Sequence, residues 1–416
     1  MVLDKQSIGI VAKSIPPVFA GSGLRSYRYA HRLYKQNKLA FVLTGKFNLK
    51  DKINPGFKAI NEGSKIPSEK ILTVPLQRHK DISHSKKPFK YFLPFLIEQI
   101  GLLIFLIWHL YKQKNSFDIL HCLGSGNLLS LYAVAIGKLF GKKTVLEMTL
   151  LGGDDPISIQ KEPIKLKSTF RLWLFSKADI VISISPALTK AYKSSGMSMD
   201  KLQEVPNPVN TKQFNYPSKE EKLKIRKKLG FGEKQIIVLF VGSIIERKGI
   251  DLLIASFAKF VSKHSEALLL MVGSCRNENR VKYLKKINIL GIKKKAILKG
   301  LVSNVDEYMK ASDLFVFTSR REGFPNVIIE AMASGLPVIT LNIPGITNYI
   351  IRNGMDGIIV KDENPTQIAL AMEKIVENQT LYNYITTNAK DTVLNKFSVE
   401  IVDQKYRQIY ERLLTE

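Results

Sequence analysis

The feature that most narrows what this chain can fold into is the regular return of short apolar runs, each followed by a segment of helical period. Residues 7–12, 38–44, 71–74, 118–122, 144–148, 180–184 and 202–205 read as buried strands. Segments 24–34, 128–139, 164–176 and 187–194 read as the helices between them. Residues 206–210, Pro-Asn-Pro-Val-Asn, form a rigid break. The pattern then restarts, with strands at 235–241, 267–272, 296–298, 313–319 and 336–341. Strands that alternate with helices on this scale pair in parallel through right-handed crossovers. The sequence therefore predicts an α/β chain of two doubly wound, Rossmann-like domains, 1–205 and 206–395. Their strand C-terminal ends, and hence their ligands, are expected at a shared cleft.

Composition bounds the function. At 416 residues each domain is long enough for its own core. Cys122 and Cys275 stand far apart and match no metal or redox spacing, so a reducing cytoplasm is the expected compartment. The six histidines form no metal-ligand pattern. A net charge of +27 predicts an anionic partner, while no nucleic-acid-binding motif accompanies it; a merely solvated, lysine-rich surface is the plain alternative. Residues 1–12 lack the apolar core of a signal peptide and fit a first strand instead.

Residues 91–111 are apolar enough by length to cross a bilayer, and they follow a basic stretch, 77–90. A single span there would put strand 118–122 on the other side of the membrane from strand 7–12. The expectation is a helix packed in the first domain, either wholly buried or with an apolar face lying on the membrane.

The segment 313–341 carries the most chemistry. It reads as strand, polar turn, helix and strand. Pro325 is expected at the first helical position and Gly335 as a left-handed C-cap. A helix N-terminus presents unpaired N–H groups and attracts phosphate, and Gly323 allows close approach of a ligand. Glu322 in the turn and Glu330 in the helix would then flank a bound diphosphate, accepting hydrogen bonds from hydroxyls on either side. A surface loop with two solvated acids is the plain alternative. Residues 242–249, Gly-Ser-Ile-Ile-Glu-Arg-Lys-Gly, make a similar strand–loop–helix junction with Arg247 and Lys248 just before Gly249. Both loops are expected on one edge of one sheet, with the cations opposite the helix N-terminus. In the first half, Gly21-Ser22-Gly23 follows strand 7–12 in the same way. It lacks the third glycine of a nicotinamide-dinucleotide fingerprint, which disfavours a dehydrogenase.

These residues carry a resemblance. VGSIIERKGIDLLIASF, DLFVFTSRREGFPNVIIEAMASGLPVIT, Pro344-Gly345 and NGMDGIIV, with weaker matches at Gly21–Gly23, FDILH and VPNPVN, resemble glycosyltransferase family 4, retaining nucleotide-sugar enzymes of the GT-B fold. The resemblance covers most of the chain and is strongest in the second half. It implies retaining transfer of a sugar from a nucleotide diphosphate sugar, with no obligatory metal. Glu322 would contact the donor sugar and Glu330 the ribose hydroxyls. Arg247 and Lys248 would neutralise the leaving diphosphate, and Phe324, Pro325, Asn326 and Val327 would line the phosphates and sugar. Gly242 and Ser243 would border the donor, and Gly21, Ser22 and Gly23 would line the cleft from the first domain. The helix at 399–414 resembles one that crosses back to the first domain, so 396–416 is expected to pack there.

Four positions depart from the family pattern, one of them Met148-Thr149, at the end of a strand that often closes on a histidine. Ser243 stands where an arginine is often found. The strand ending at His121 continues Cys122-Leu123 rather than to a second histidine, so His121 is either an acid/base or positioning group or a core histidine. Asn348 replaces the usual acid after Pro344-Gly345. The expected function is transfer to a lipid-linked glycan or glycolipid precursor at the cytoplasmic membrane face. Transfer to a soluble acceptor, and a non-catalytic nucleotide-sugar-binding partner, are the competing readings.

Overall fold

The structure, a computed structural model, describes residues 6–15, 21–46, 66–75 and 89–415. Of the basic stretch at 77–90, residues 77–88 lie outside the described residues.

Two parallel sheets organise the chain. The first contains β1 (Ile8–Ala12), β2 (Leu39–Lys46), β3 (Ile71–Pro75), β4 (Ile119–Leu123), β5 (Lys143–Met148), β6 (Ile180–Ser183) and β7 (Leu202–Glu204), in the order β3-β2-β1-β4-β5-β6-β7. The second contains β8 (Ile237–Val241), β9 (Leu268–Val272), β10 (Ala296–Gly300), β11 (Leu314–Phe317), β12 (Val338–Leu341) and β13 (Ile358–Val360), in the order β10-β9-β8-β11-β12-β13. Every residue of β1, β4, β8 and β9 is buried, as continuous apolar strands covered on both faces require. The doubly wound α/β reading therefore holds for both halves.

In each sheet the strand order reverses direction once, between β1 and β4 and between β8 and β11. Loops leaving two neighbouring strands at such a point diverge, and the crevice they leave is where ligands bind in this class of sheet. The glycine-containing loops singled out at 242–249 and around Gly323 follow β8 and β11, and Gly21–Gly23 comes after β1.

The chain divides into two compact units. One comprises Met1–Ile184, Leu188–Val205 and Arg407–Glu416; the other comprises Ser185–Ala187 and Pro206–Tyr406. The boundary between Val205 and Pro206 coincides with the Pro-Asn-Pro break. Helix Val399–Thr415 contributes its last residues to the first unit.

Helix Phe89–Gln113 links β3 to β4 of one sheet, both in register with a common core. Among the described residues no helix is long and apolar enough to cross a membrane. Leu102, Leu106 and Leu110 pack inward, four residues apart. Its outward face stays exposed, so the wholly buried alternative for this helix does not hold.

Candidate functional site

In the second unit, the loops after β8 and β11 lie side by side because their strands pair directly, Val238 with Phe315's neighbour Leu314 and Leu239 with Phe315. The first loop ends in a single turn, Glu246–Lys248, and enters helix Ile250–Val261 through Gly249. Gly249 has φ of +65°, and a Cβ there would sit 2.0 Å from the carbonyl oxygen of Thr318. Only glycine permits both the left-handed backbone and this approach. The contact clamps the two loops together: Thr318 Oγ1 donates to the carbonyls of Lys248 (3.1 Å) and Gly249 (2.9 Å), and the Arg320 amide donates to the Arg247 carbonyl at 3.0 Å.

The clamp aims Arg247 and Lys248 at Glu322. Lys248 Nζ donates to Glu322 Oε1 at 2.5 Å, and Arg247 Nη1 lies 3.2 Å from the same oxygen. Ser319 Oγ donates to it as well, at 2.5 Å. Arg247 also donates to the carbonyl of Arg321. Lys248 lies over the Phe317 ring, 5.2 Å from its centre. Burial pushes the Lys248 amine below its usual value; Glu322 opposes that shift and Arg247 adds to it. Two cations thus share one carboxylate, leaving the cluster with an excess positive charge in a half-dry setting. That arrangement favours an anion.

The neighbouring Arg320 is committed elsewhere. Its guanidinium grips both oxygens of Asp251, each at 3.1 Å, and Glu363 at 2.8 Å, and it donates to the Glu246 carbonyl. It ties the first turn of helix Ile250–Val261 to the loop after β11. Neither Asp251 nor Ser319 stood out in the sequence. Their signal was only position: an acid in the first turn of a helix, and a hydroxyl three residues before Glu322.

The helix expected after Gly323 is Asn326–Ala333, capped by Pro325 rather than beginning with it. The difference is one residue, because Pro325 has an extended ψ of 90°. Gly335 takes the expected left-handed conformation, φ +75°, with its α-carbon against the Tyr216 ring. Phe324 is held edge-on by Phe397, 5.7 Å between ring centres. Asn326 Oδ1 accepts from Asn207 Nδ2 at 2.7 Å, which fixes the first helical residue from the Pro-Asn-Pro segment. Gly323 is buried and Val327 half-buried beside them. Glu330 lies in the same helix and is 7% exposed, as is Glu322. Gly242 and Ser243 follow β8 directly, and the Ser243 hydroxyl accepts from Ser274 at 3.2 Å. Asn348, in place of an acid, accepts from the Gly345 amide at 2.7 Å. The second unit thus gathers Gly242, Ser243, Arg247, Lys248, Glu322–Val327 and Glu330 around the carboxyl ends of β8 and β11.

In the first unit Gly21, Ser22 and Gly23 form the first turn of helix Gly21–Lys35, not a loop before it. His121 sits inside β4, with its side chain 0% exposed. Its Nδ1 is 2.7 Å from the Tyr410 hydroxyl and its Nε2 3.4 Å from Glu147. A neutral ring with its proton on Nε2 satisfies both neighbours. Burial lowers the His121 pKa despite the pull of Glu147. Burial pushes Glu147 up, but Arg25 and His121 outweigh it and hold the carboxyl below its usual range. The Arg25–Glu147 ion pair accounts for an arginine placed against the helix dipole. Buried, with both ring nitrogens facing Tyr410 and Glu147, His121 has the surroundings that the core-histidine alternative expects. Glu147 was missed because an acid inside TVLEM looks like a stray charge until its partner on another element is known.

A second cluster closes the edge of this unit. Asp154 accepts from the amides of Gly126 and Thr149, each at 3.1 Å, and from the Thr149 hydroxyl, which joins the loops after β4 and β5. Arg171 fixes the same loop by donating to the Gly126 carbonyl at 2.6 Å.

Comparison with known proteins follows the same division. Residues 221–392, most of the second unit, match the family model for glycosyl transferases group 1. The chain is 30% identical over 268 residues to the capsular polysaccharide biosynthesis glycosyltransferase CapM of Staphylococcus aureus, covering 62% of this chain and 69% of that protein. An uncharacterised glycosyltransferase of Methanocaldococcus jannaschii is 30% identical over 56% of this chain and 59% of its own length. The galactosyltransferase of Escherichia coli named for a GlcNAc-diphosphoundecaprenol acceptor is 27% identical over 50% of this chain and 54% of its own. Among solved structures, HepE of Anabaena in complex with UDP superposes with a TM-score of 0.74 at 19% identity over 99% of this chain and 100% of that one. The lipopolysaccharide enzyme WaaG gives 0.70 at 17% over 97% and 99%. The fold is GT-B, and the chain belongs to the glycosyl transferases group 1 family.

Proposed function

We propose that the protein is a retaining glycosyltransferase of family 4 type, moving a sugar from a nucleotide diphosphate sugar to a lipid-linked glycan or glycolipid precursor. The observation that carries this reading is the cluster of Arg247 and Lys248 on Glu322, beside the N-terminus of helix Asn326–Ala333. As the bond between the anomeric carbon and the diphosphate breaks, negative charge builds on the leaving oxygen. Two cations already in place, with helix N–H groups next to them, stabilise that charge without reorganising. They supply the neutralisation, and no metal is required. Glu322, released from part of its cation contact, takes a hydroxyl of the donor sugar, and Glu330 takes the ribose. The acceptor oxygen bonds to the anomeric carbon on the face the diphosphate leaves, and its proton passes to the departing phosphate.

A membrane-borne acceptor is supported by the name of one relative, which acts on a diphosphoundecaprenol glycan. HepE, solved with UDP-glucose, supports a nucleotide sugar as donor. The test is nucleotide release from UDP-, GDP- and ADP-sugars with a polyprenyl-diphosphate glycan as acceptor, and the anomeric configuration of the product by NMR. The wild type should turn over one donor class with retention, and Glu330→Ala should lose most of that activity. Full activity in Glu330→Ala, or an inverted product, would overturn the assignment.

A further inference from the structure

Helix Phe89–Gln113 has two opposed apolar stripes. Leu102, Leu106 and Leu110 face the sheet. Ile97, Ile100, Ile104, Trp108 and Tyr111, spaced three and four residues apart, are all exposed on the other side. A contiguous exposed apolar stripe of this length, unlike single scattered side chains, marks an interaction surface. Helix Lys165–Ser176 repeats the arrangement. Ser168, Arg171, Leu174 and Phe175 are buried, whereas Leu166, Phe170 and Trp173 are exposed on one stripe.

Both helices pack against helix Leu128–Leu139, one on each side of it. Aromatic contacts bridge them: Tyr111 meets Phe140 at 6.1 Å and Phe170 meets Tyr132 at 6.5 Å between ring centres. Right-handed crossovers place all three helices on the same face of the first sheet. Helix Leu128–Leu139 is itself almost wholly buried and adds only Leu139 to the exposed apolar surface, so the outward apolar side chains come from the two helices packed against it. Trp108 is 49% exposed, Trp173 52%, Ile104 61%, Leu139 81% and Leu166 83%.

The surroundings of these side chains say what covers them. Lys112 lies 4.0 Å above the Trp108 ring, Lys114 4.2 Å above Tyr111 and Lys177 4.7 Å above Trp173. Lys165 and Lys167 flank Leu166. Aromatic rings with an ammonium over one face are suited to the headgroup layer, where the ring meets acyl chain and the amine meets phosphate. A protein interface of this size would instead be depleted of lysine at its centre. We propose that this three-helix face is a docking surface for an anionic lipid bilayer, entered by Ile104, Trp108, Leu166 and Trp173 and held by the lysines around them.

The proposal deepens the reading of a membrane-borne acceptor and rests on it for its purpose. Its geometry belongs to the first unit alone. Trp108 and Trp173 are the chain's two tryptophans, so selectively excited tryptophan fluorescence reports this face. The full-length protein is mixed with vesicles of phosphatidylcholine, with and without phosphatidylglycerol, at low and high salt. Emission should shift to the blue and be quenched by acyl-brominated lipids on the anionic vesicles at low salt. The double variant Ile104→Glu, Leu166→Glu should bind them at least about ten-fold more weakly. Its circular dichroism should be unchanged, since both side chains are exposed. Absence of a shift, equal binding to neutral vesicles, or unchanged binding by the double variant would each overturn the proposal. So would a lipid-free blue shift that rises with protein concentration alongside dimer formation, which would give the face to a second copy. Nucleotide release to a detergent-solubilised acceptor, measured on the same double variant, keeps the two readings apart. It should persist if transfer is right, whatever the vesicles show.

Discussion

Lys248→Ala tests the electrostatic argument at its centre. In the wild type Lys248 Nζ lies 2.5 Å from Glu322 Oε1, and Arg247 shares that oxygen at 3.2 Å. Removing Lys248 leaves one cation against one carboxylate, so the excess positive charge that would meet a diphosphate disappears. A charge-assisted hydrogen bond in a part-buried site contributes about 1.5–3 kcal/mol. If the bond is made mainly as the leaving group charges, the loss appears in kcat/KM as roughly 10- to 200-fold, at about 1.36 kcal/mol per decade. Glu322 keeps Arg247 and the Ser319 hydroxyl, so it is not stranded and the fold should survive. Thermal melting separates that possibility from unfolding. Lys248→Arg keeps the charge but not the point geometry and should fall between wild type and alanine. The assay is nucleotide release at several donor concentrations. If Lys248→Ala keeps kcat/KM within two-fold of wild type while melting normally, the cluster does not stabilise the leaving group and the reasoning fails.

Three further outcomes follow from the same geometry. Because burial lowers the Lys248 pKa, its charge is lost at a lower pH than that of a surface lysine; nucleotide-diphosphate affinity should weaken toward alkaline pH, and Lys248→Arg should flatten that limb in calorimetric titrations. Gly249→Ala combines a φ of +65° with a Cβ 2.0 Å from the Thr318 carbonyl, so it should cost roughly 3 kcal/mol or more and lower the melting temperature. His121, held neutral by burial, has a folded pKa below its ordinary value near 6.5, so the unfolded chain takes up a proton there that the folded unit does not. The stability this gives is present above that value and lost as pH falls; melting temperatures from pH 7.5 to 5 should drop more steeply in wild type than in His121→Gln, and equal slopes would refute it.

Much of the fold was legible because parallel sheets advertise themselves. β1, β4, β8 and β9 are buried along their whole length, so they appear in the sequence as unbroken apolar runs. Elements on the outer layer were harder. Helix Asn277–Ile289 buries only Tyr283 and Ile287, and β13 has three residues, so neither leaves a periodic signal. At the site, Glu322, Arg247 and Lys248 could be picked out because each stands at a strand–loop–helix junction close to a glycine, and Glu330 because it lies in the helix that follows one of those junctions. What could not be picked out are the partners that close in space and not in sequence. Glu147 meets Arg25 and His121 across three elements, and His121 meets Tyr410 across 289 residues. A lone histidine in a strand carries no mark of which it will be, reactive group or packed ring, until those partners are placed.

On the two proposals the chain's excess of positive charge has two separable uses, and salt distinguishes them. Lys112, Lys114, Lys165, Lys167 and Lys177 ring an exposed face, where the proposed attraction to a bilayer would act through water. The screening length falls from ~10 Å at 0.1 M salt to ~3 Å at 1 M, so that attraction should be largely removed over this range. Arg247 and Lys248 act at contact distance, with the Lys248 side chain only 13% exposed, where few ions can intervene. Raising salt should therefore release the protein from anionic vesicles while nucleotide-diphosphate affinity falls by a much smaller factor. Equal salt dependence in both would mean that the Glu322 cluster is as open to solvent as the lysines of the face, and the leaving-group argument would lose its physical basis.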